Sequence, residues 1–229
     1  DMAEPEGAEN EIEFVIIRHG VTPGNAQRRY VGALDQPLSD EGRAQARARA
    51  PYVASVLPDV RRVYVSVLQR THETAAILFP GAEQIVVEGI QEMDFGAFGG
   101  KSADEMAEDP AYRAWVAGNC EGTCPGGESR AEFIERTCTA LGVFCRGLAK
   151  RGEDQAILVA HGGTMMAGLS RMAAEKRDYY DWLTGNCGGY RMQVVFPDGP
   201  DGRVEFQSVE EWGLPTQHGR AAGPFGGNA

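Results

Sequence analysis

Two short apolar runs far apart in the chain, FVII at 14–17 and ILVA at 157–160, stop in the same way. The first runs into Arg18, His19 and Gly20, the second into His161, Gly162 and Gly163. A compact β-rich run closed by glycine reads as a strand buried on both faces, the kind that fills a parallel sheet. Between and beyond them, strands alternate with longer helical patterns. Residues 62–67, 85–87, 189–196 and 203–209 read as further strands, the last two joined by the Pro- and Gly-rich turn at 197–202. Helices are expected over 40–57 with Ser39 as N-cap, over 69–79, and from about Thr164. Ser102 with Glu105 and Ser129 with Glu132 have capping-box spacing, the second opening the longest helix, 129–151. Such alternation implies a three-layer α/β/α fold with a mainly parallel mixed sheet. One domain over 11–214 accommodates it. The glycine-rich span 96–127 is expected to be an inserted helical lid, and 1–10 and 215–229 flexible termini.

Charge narrows the partners. The 229 residues carry a net charge of −11, which argues against nonspecific attraction to nucleic acid or to an anionic membrane. No apolar run approaches the ~20 residues that span a bilayer, and the acidic N-terminal stretch lacks the features of a secretory signal. A cytoplasmic location is the expectation. The basic residues are nearly all arginine, with lysine only at 101, 150 and 176. Arginine grips phosphate bidentately, so an acidic chain of this kind would bind an anion in a local pocket. Five cysteines at 120, 124, 138, 145 and 187 suit a reducing compartment. Cys138 and Cys145 share a helical stripe with Ile134, Leu141 and Leu148 and are expected to be buried thiols. Cys120 and Cys124 lack the further ligands of a zinc site, and whether they pair is left open.

The matching corners suggest chemistry. In open α/β sheets, ligands collect beyond the carboxyl ends of the strands, where His19 and His161 both fall. Imidazole is a nucleophile as well as a base. Phosphoryl transfer needs chiefly positioning and charge stabilisation, which arginine and a second histidine supply. The leaving alkoxide needs a proton, so a carboxylic acid should lie nearby.

At this point the residues resemble a family. Arg18, His19, Gly20, Thr22 and Asn25, followed by Arg29, Gly32, Asp35, Pro37, Leu38 and Gly42, are similar to the opening signature of the histidine phosphatases, the phosphoglycerate-mutase-like superfamily. Further blocks follow in the family's order: Ser66, Leu68 and Arg70 to Thr74; Glu92, Asp94 and Gly96; Gly127, Glu128 and Ser129; then His161, Gly162 and Gly163. The resemblance implies that His19 becomes phosphohistidine and that Arg18, Arg70 and His161 hold the phosphoryl oxygens. Asn25 and Gly162 would assist in substrate binding. Glu92 would protonate the leaving oxygen and then activate water, with Glu88 and Asp94 as alternatives. Arg28 and Arg29 are assigned to scaffold or surface, and His72 and His218 to no role.

The short span between Glu92 and Gly127 is similar to the phosphatase branch, which makes water the acceptor and the net reaction phosphomonoester hydrolysis. Asn186 and Cys187 before the final strands are similar to α-ribazole phosphatases and broad-specificity relatives, so the substrate expected is a small phosphorylated metabolite. The family implies no cofactor and no metal. Cofactor-dependent phosphoglycerate mutation and a non-catalytic phosphate-binding module are the alternatives. A homodimer is compatible with the sequence and not required by it. One departure stands out: where the phosphatase branch often has Gly-x-Trp-Glu-Gly, this chain has Gly96, Ala97, Phe98, Gly99 and Gly100, without the second carboxylate. Phe98, Tyr112 and Trp115 are assigned to core packing ahead of pocket lining.

Overall fold

The computed structural model describes residues 11–212. Six strands form one sheet in the order β3-β2-β4-β1-β5-β6. They are β1 (Ile12–Arg18), β2 (Arg62–Val65), β3 (Glu83–Val86), β4 (Gln155–Ala160), β5 (Gly189–Val195) and β6 (Glu205–Trp212). Pairings among β3, β2, β4 and β1 are parallel, while β5 joins β1, and β6 joins β5, in antiparallel register.

The helices are α1 (Pro23–Ala26), α2 (Asp40–Val56), α3 (Gln69–Leu78), α4 (Pro110–Ala117), α5 (Arg130–Lys150) and α6 (Gly162–Met172). Strand alternation sends Phe14 and Ile16, with Leu158 and Ala160, into the core shared with Leu141, Leu148 and Leu169 of α5 and α6. Val15 and Ile17, with Ile157 and Val159, turn the other way onto Ala46 and Val53 of α2 and Ala75 and Leu78 of α3. Each fully buried aliphatic side chain contributes about 1.5–3 kcal/mol, so β1 and β4 are held from both faces. That rigidity fixes the corners that follow them.

Caps confirm several expected helix starts. Ser39 Oγ accepts from the Gly42 amide, and Ser129 forms a complete capping box with Glu132 at the start of α5. The pair Ser102 and Glu105 also exchanges both bonds, at 3.2 Å each, yet 103–108 remain turns. Pro110 is the reason: it disfavours helical conformation at Asp109, and the residues remaining before it are too few to sustain a helix. Asp109 instead caps α4. The strand expected over 62–67 ends at Val65, because the Ser66 amide donates to Thr71 Oγ1 instead of a neighbouring strand. The helix expected from Thr164 starts at Gly162, directly after His161. Strand β6 runs over Glu205–Trp212, later than the expected 203–209.

Between the sheet's carboxyl edge and α5 sits a third cluster containing Tyr30, Met93, Phe98, Met106, Tyr112, Trp115, Cys124 and Phe133. Phe98, Tyr112 and Trp115 are therefore core residues, as expected, meeting in edge-on and tilted contacts with ring centroids 5.4–6.0 Å apart. Cys145 is fully buried, whereas Cys138 is only half-buried, its thiol against the Ala167 carbonyl at 3.4 Å. Among the described residues no helix is long and apolar enough to cross a membrane.

Candidate active site

Register assembles the site. Strands β1 and β4 pair with Arg18 beside Ala160, so the next residues, His19 and His161, leave the sheet side by side. The His19 amide still donates to Ala160 O at 3.0 Å, and the two rings meet edge to face with centroids 5.2 Å apart. Strand β2, on the other side of β4, ends at the same edge and delivers Ser66 and then the start of α3 with Arg70.

His19 is 4% exposed, and its ring is oriented from behind. Nδ1 lies 2.5 Å from the Gly20 carbonyl oxygen, which can only accept, so Nδ1 carries the proton and Nε2 the lone pair. Thr74 Oγ1 accepts from the Gly20 amide at 3.0 Å, and Asn186 Nδ2 donates to His19 O at 2.9 Å. Burial, reinforced by Arg70 and Arg18, holds the imidazole well below the ordinary histidine range. The resting ring is neutral, with its lone pair on Nε2.

Arg70 is 1% exposed and donates from Nε to His19 Nε2 at 3.2 Å, from Nη1 to Leu34 O at 2.6 Å and from Nη2 to Gly32 O at 2.5 Å. Burial pulls it down to about 10, still fully charged at neutral pH. Arg18 donates from Nη1 to Thr184 O at 2.8 Å, while its buried Nε has no partner. Burial lowers its pKa as well, opposed by the Glu92 carboxylate. His161 is completely buried, with Nε2 2.8 Å from Ser66 Oγ and Nδ1 unpartnered. Burial and the nearby Arg70, His19 and Arg18 hold it well below the histidine range. Unpaired buried polar atoms are costly, so Arg18 Nε, a donor, marks where an acceptor belongs, and His161 Nδ1 is a second buried polar atom without a partner.

Glu92 brings the carboxylate. Its Oε2 accepts from the Gly163 amide at 3.1 Å, in the first turn of α6, and its Oε1 from the Met93 amide at 2.9 Å. A Cβ on Gly163 would lie 1.9 Å from Glu92 Oε1, so only glycine lets the carboxylate approach this helix end. Glu88 and Asp94 are exposed, and Asp94 Oδ1 is used in a turn to the Gly96 amide at 2.8 Å. Of the three carboxylates, Glu92 is the one the fold seats against the His161 corner.

The histidine phosphatase superfamily (branch 1) family model matches residues 14–195. The chain belongs to this superfamily. Phosphoglycerate mutase-like protein 4 of Arabidopsis thaliana is 30% identical over 186 residues, covering 79% of each chain. A mycobacterial glucosyl-3-phosphoglycerate phosphatase structure superposes with a TM-score of 0.67 at 26% identity, covering 88% of this chain and 98% of that one. An Escherichia coli structure provisionally assigned as an α-ribazole-5′-P phosphatase gives 0.71 at 18% identity, over 90% and 97%, a likeness of fold alone.

In this histidine phosphatase superfamily member, Asn25 is a capping residue: Oδ1 accepts from the Thr22 amide at 3.1 Å, and its own amide donates to Thr22 Oγ1 at 3.2 Å. Its Nδ2 is left for other use. Gly162 packs against Arg18; a Cβ there would meet Leu183 Cδ1 at 2.5 Å and Arg18 Nε at 3.2 Å. Arg29 is scaffold, bonded to Gly100 O at 2.9 Å and paired with Glu105 at 2.8 Å. Arg28 is exposed at φ 53°. His72 Nε2 donates to Ser66 O at 2.6 Å, and His218 lies outside the described residues.

Two residues escaped the sequence reading. Arg136 of α5 donates to Gly89 O at 2.7 Å, Gln91 O at 3.1 Å and Glu92 O at 3.4 Å, and is paired with Glu128 at 2.7 Å. It clamps the loop that carries Glu92. Tyr179 lies near enough to Glu92 for that carboxylate, after burial, to raise its hydroxyl pKa. Arg136 shares the helix face of Phe133, three residues before it, but as a charged side chain it reads as surface, and only its fold contacts distinguish it.

Proposed function

We propose that this protein hydrolyses small phosphomonoesters through a phosphohistidine on His19. The observation that carries the proposal is the convergence of the His19 and His161 rings, 5.2 Å apart, with two buried arginines around unpaired donors. In the first step the Nε2 lone pair attacks phosphorus, the N–P bond forms and the bond to the leaving oxygen breaks. Glu92, entering as the acid, gives its proton to that oxygen. The ring then bears positive charge, which the Nδ1–H bond to Gly20 O stabilises. Arg18, Arg70 and His161 Nδ1 face the equatorial oxygens, with Asn25 Nδ2 and the Gly162 amide as further donors. In the second step Glu92, now a carboxylate, takes a proton from water as the new P–O bond forms and the N–P bond breaks. Inorganic phosphate leaves, and both His19 and Glu92 return to their starting protonation.

Charge balance at the phosphoryl group comes from arginine, so the reaction requires no metal. Incubation with p-nitrophenyl phosphate in EDTA should release phosphate at the rate seen without chelator, and His19→Ala should lose acid-labile phosphoryl labelling. Strict dependence on an added divalent cation would overturn this. The span 96–127, with its short helices, is read as a small lid over the site. The mutase-like relative supports a second reading, in which phosphate returns to a bisphosphorylated intermediate. Fast isomerisation of 3-phosphoglycerate with 2,3-bisphosphoglycerate would favour it; negligible isomerisation favours hydrolysis. A panel of phosphomonoesters should begin with α-ribazole phosphate and glucosyl-3-phosphoglycerate, the compounds in the names of two structural relatives.

A further inference from the structure

Ser66 follows β2, is fully buried, and has each of its polar groups held. Its amide donates to Thr71 Oγ1 at 3.1 Å, its carbonyl accepts from His72 Nε2 at 2.6 Å, and its hydroxyl oxygen accepts from the Leu68 amide at 3.1 Å. These bonds lock the rotamer and leave one proton to place. Two partners are in range, His161 Nε2 at 2.8 Å and Thr71 Oγ1 at 3.2 Å, and Nε2 accepts only in the tautomer that leaves it the lone pair. Thr71 cannot donate back, because its own proton goes to Leu68 O at 2.8 Å. An imidazole nitrogen bearing its lone pair is both nearer and more basic than Thr71 Oγ1, which makes it the better acceptor for the Ser66 hydroxyl.

We propose that Ser66 is a positioning residue that sets the tautomer of His161. Its hydroxyl donates to Nε2, which confines the ring proton to Nδ1 and makes that otherwise unpartnered atom a donor toward the phosphoryl group. A neutral imidazole has one N–H and one lone pair, and the opposite tautomer would present the lone pair to an anion. Burial keeps His161 neutral, so the tautomer decides whether the ring attracts or repels substrate. The placement is built by long-range structure: Ser66 and His161 are 95 residues apart and meet because β2 and β4 are neighbours. The functional consequence rests on the phosphatase reading; the tautomer itself does not.

The test is a two-bond ¹H–¹⁵N correlation spectrum of the full chain labelled at histidine nitrogen, at neutral pH, with His161 assigned from the signals missing in His161→Gln. The wild-type ring should show the Nδ1–H pattern, a result that needs only the His161→Gln assignment and no Ser66 variant. Ser66→Ala should lose that preference and lower kcat about 10–100-fold with a smaller change in KM, the usual cost of removing an orienting partner. Ser66→Thr, which keeps the hydroxyl, should restore both the pattern and the rate. A wild-type Nε2–H pattern, or a Ser66→Ala protein that keeps both tautomer and rate, overturns the proposal. An Nδ1–H ring in a wild-type protein without phosphatase activity overturns the phosphatase reading and leaves the tautomer standing.

Discussion

Arg70 Nε donates to His19 Nε2 at 3.2 Å, so a guanidinium edge is fixed at the imidazole atom that carries the lone pair. The other two nitrogens are anchored on Leu34 O and Gly32 O, which prevents the group from following a substrate outward. Lysine carries the charge but cannot span those three acceptors. Arg70→Lys should therefore lower kcat about 10²–10³-fold, the range for removing one preorganised donor. Circular dichroism should show the fold retained. A loss under tenfold would mean that Arg70 serves the scaffold alone.

Gly163 makes room for Glu92. A methyl group there would sit 1.9 Å from Oε1, so Gly163→Ala must push the carboxylate away from the α6 amide. The variant should behave like Glu92→Gln: strongly slowed on alkyl phosphates, whose leaving oxygen needs a proton, and less so on p-nitrophenyl phosphate. Equal slowing on both substrates would remove Glu92 from the acid role.

Arg136 holds the backbone of the loop that carries the same residue. Arg136→Ala removes its bonds to the carbonyls of Gly89, Gln91 and Glu92 and leaves Glu128 without its cation. Urea unfolding should show about 1–3 kcal/mol of lost stability, as for a few unmade partly buried hydrogen bonds. The residual activity should display the same bias against poor leaving groups as Glu92→Gln. Unchanged leaving-group selectivity would confine Arg136 to stability.

Both site histidines have pKa values pushed down in the folded state. Unfolding lets them return to about 6.5, so the unfolded chain binds protons that the folded chain refuses. Their contribution to stability is thus independent of pH above that value and falls as pH drops below it, by about 1.4 kcal/mol per pH unit for each ring until the folded pKa is reached. Melting temperatures between pH 8 and 5 should show this loss, and His161→Gln should flatten it. A wild-type curve no steeper than that of His161→Gln would contradict the burial argument. Because His19 is already neutral, kcat/KM should not show an acid limb near 6.5 belonging to the nucleophile.

Local features were legible from the residues alone. The apolar runs of β1 and β4, the Ser39 and Ser129 caps and the long helix α5 follow from neighbour sterics and periodicity, which act within a few residues. The twin His-Gly corners could be read for the same reason, since glycine after a buried run announces where a strand stops. The capping-box spacing of Ser102 and Glu105 is not followed by a helix, because Pro110 leaves too few residues before it. Asn25 shows the limit of motif reading: its residue type fits a phosphate contact, yet half of its side chain is spent on the Thr22 cap.

The sequence by itself determined most element types, the two imidazoles at strand ends and the arginine-rich basic complement that pointed to an anionic ligand. Tertiary structure decided which groups meet. Strand order and register brought His19 beside His161, set Glu92 rather than Glu88 or Asp94 against the Gly163 amide, placed Arg136 behind the Glu92 loop and turned Ser66 toward His161. Periodicity records which face of an element is buried, but hydrogen bonds between distant residues depend on how neighbouring strands are ordered and aligned, and no local pattern carries that information.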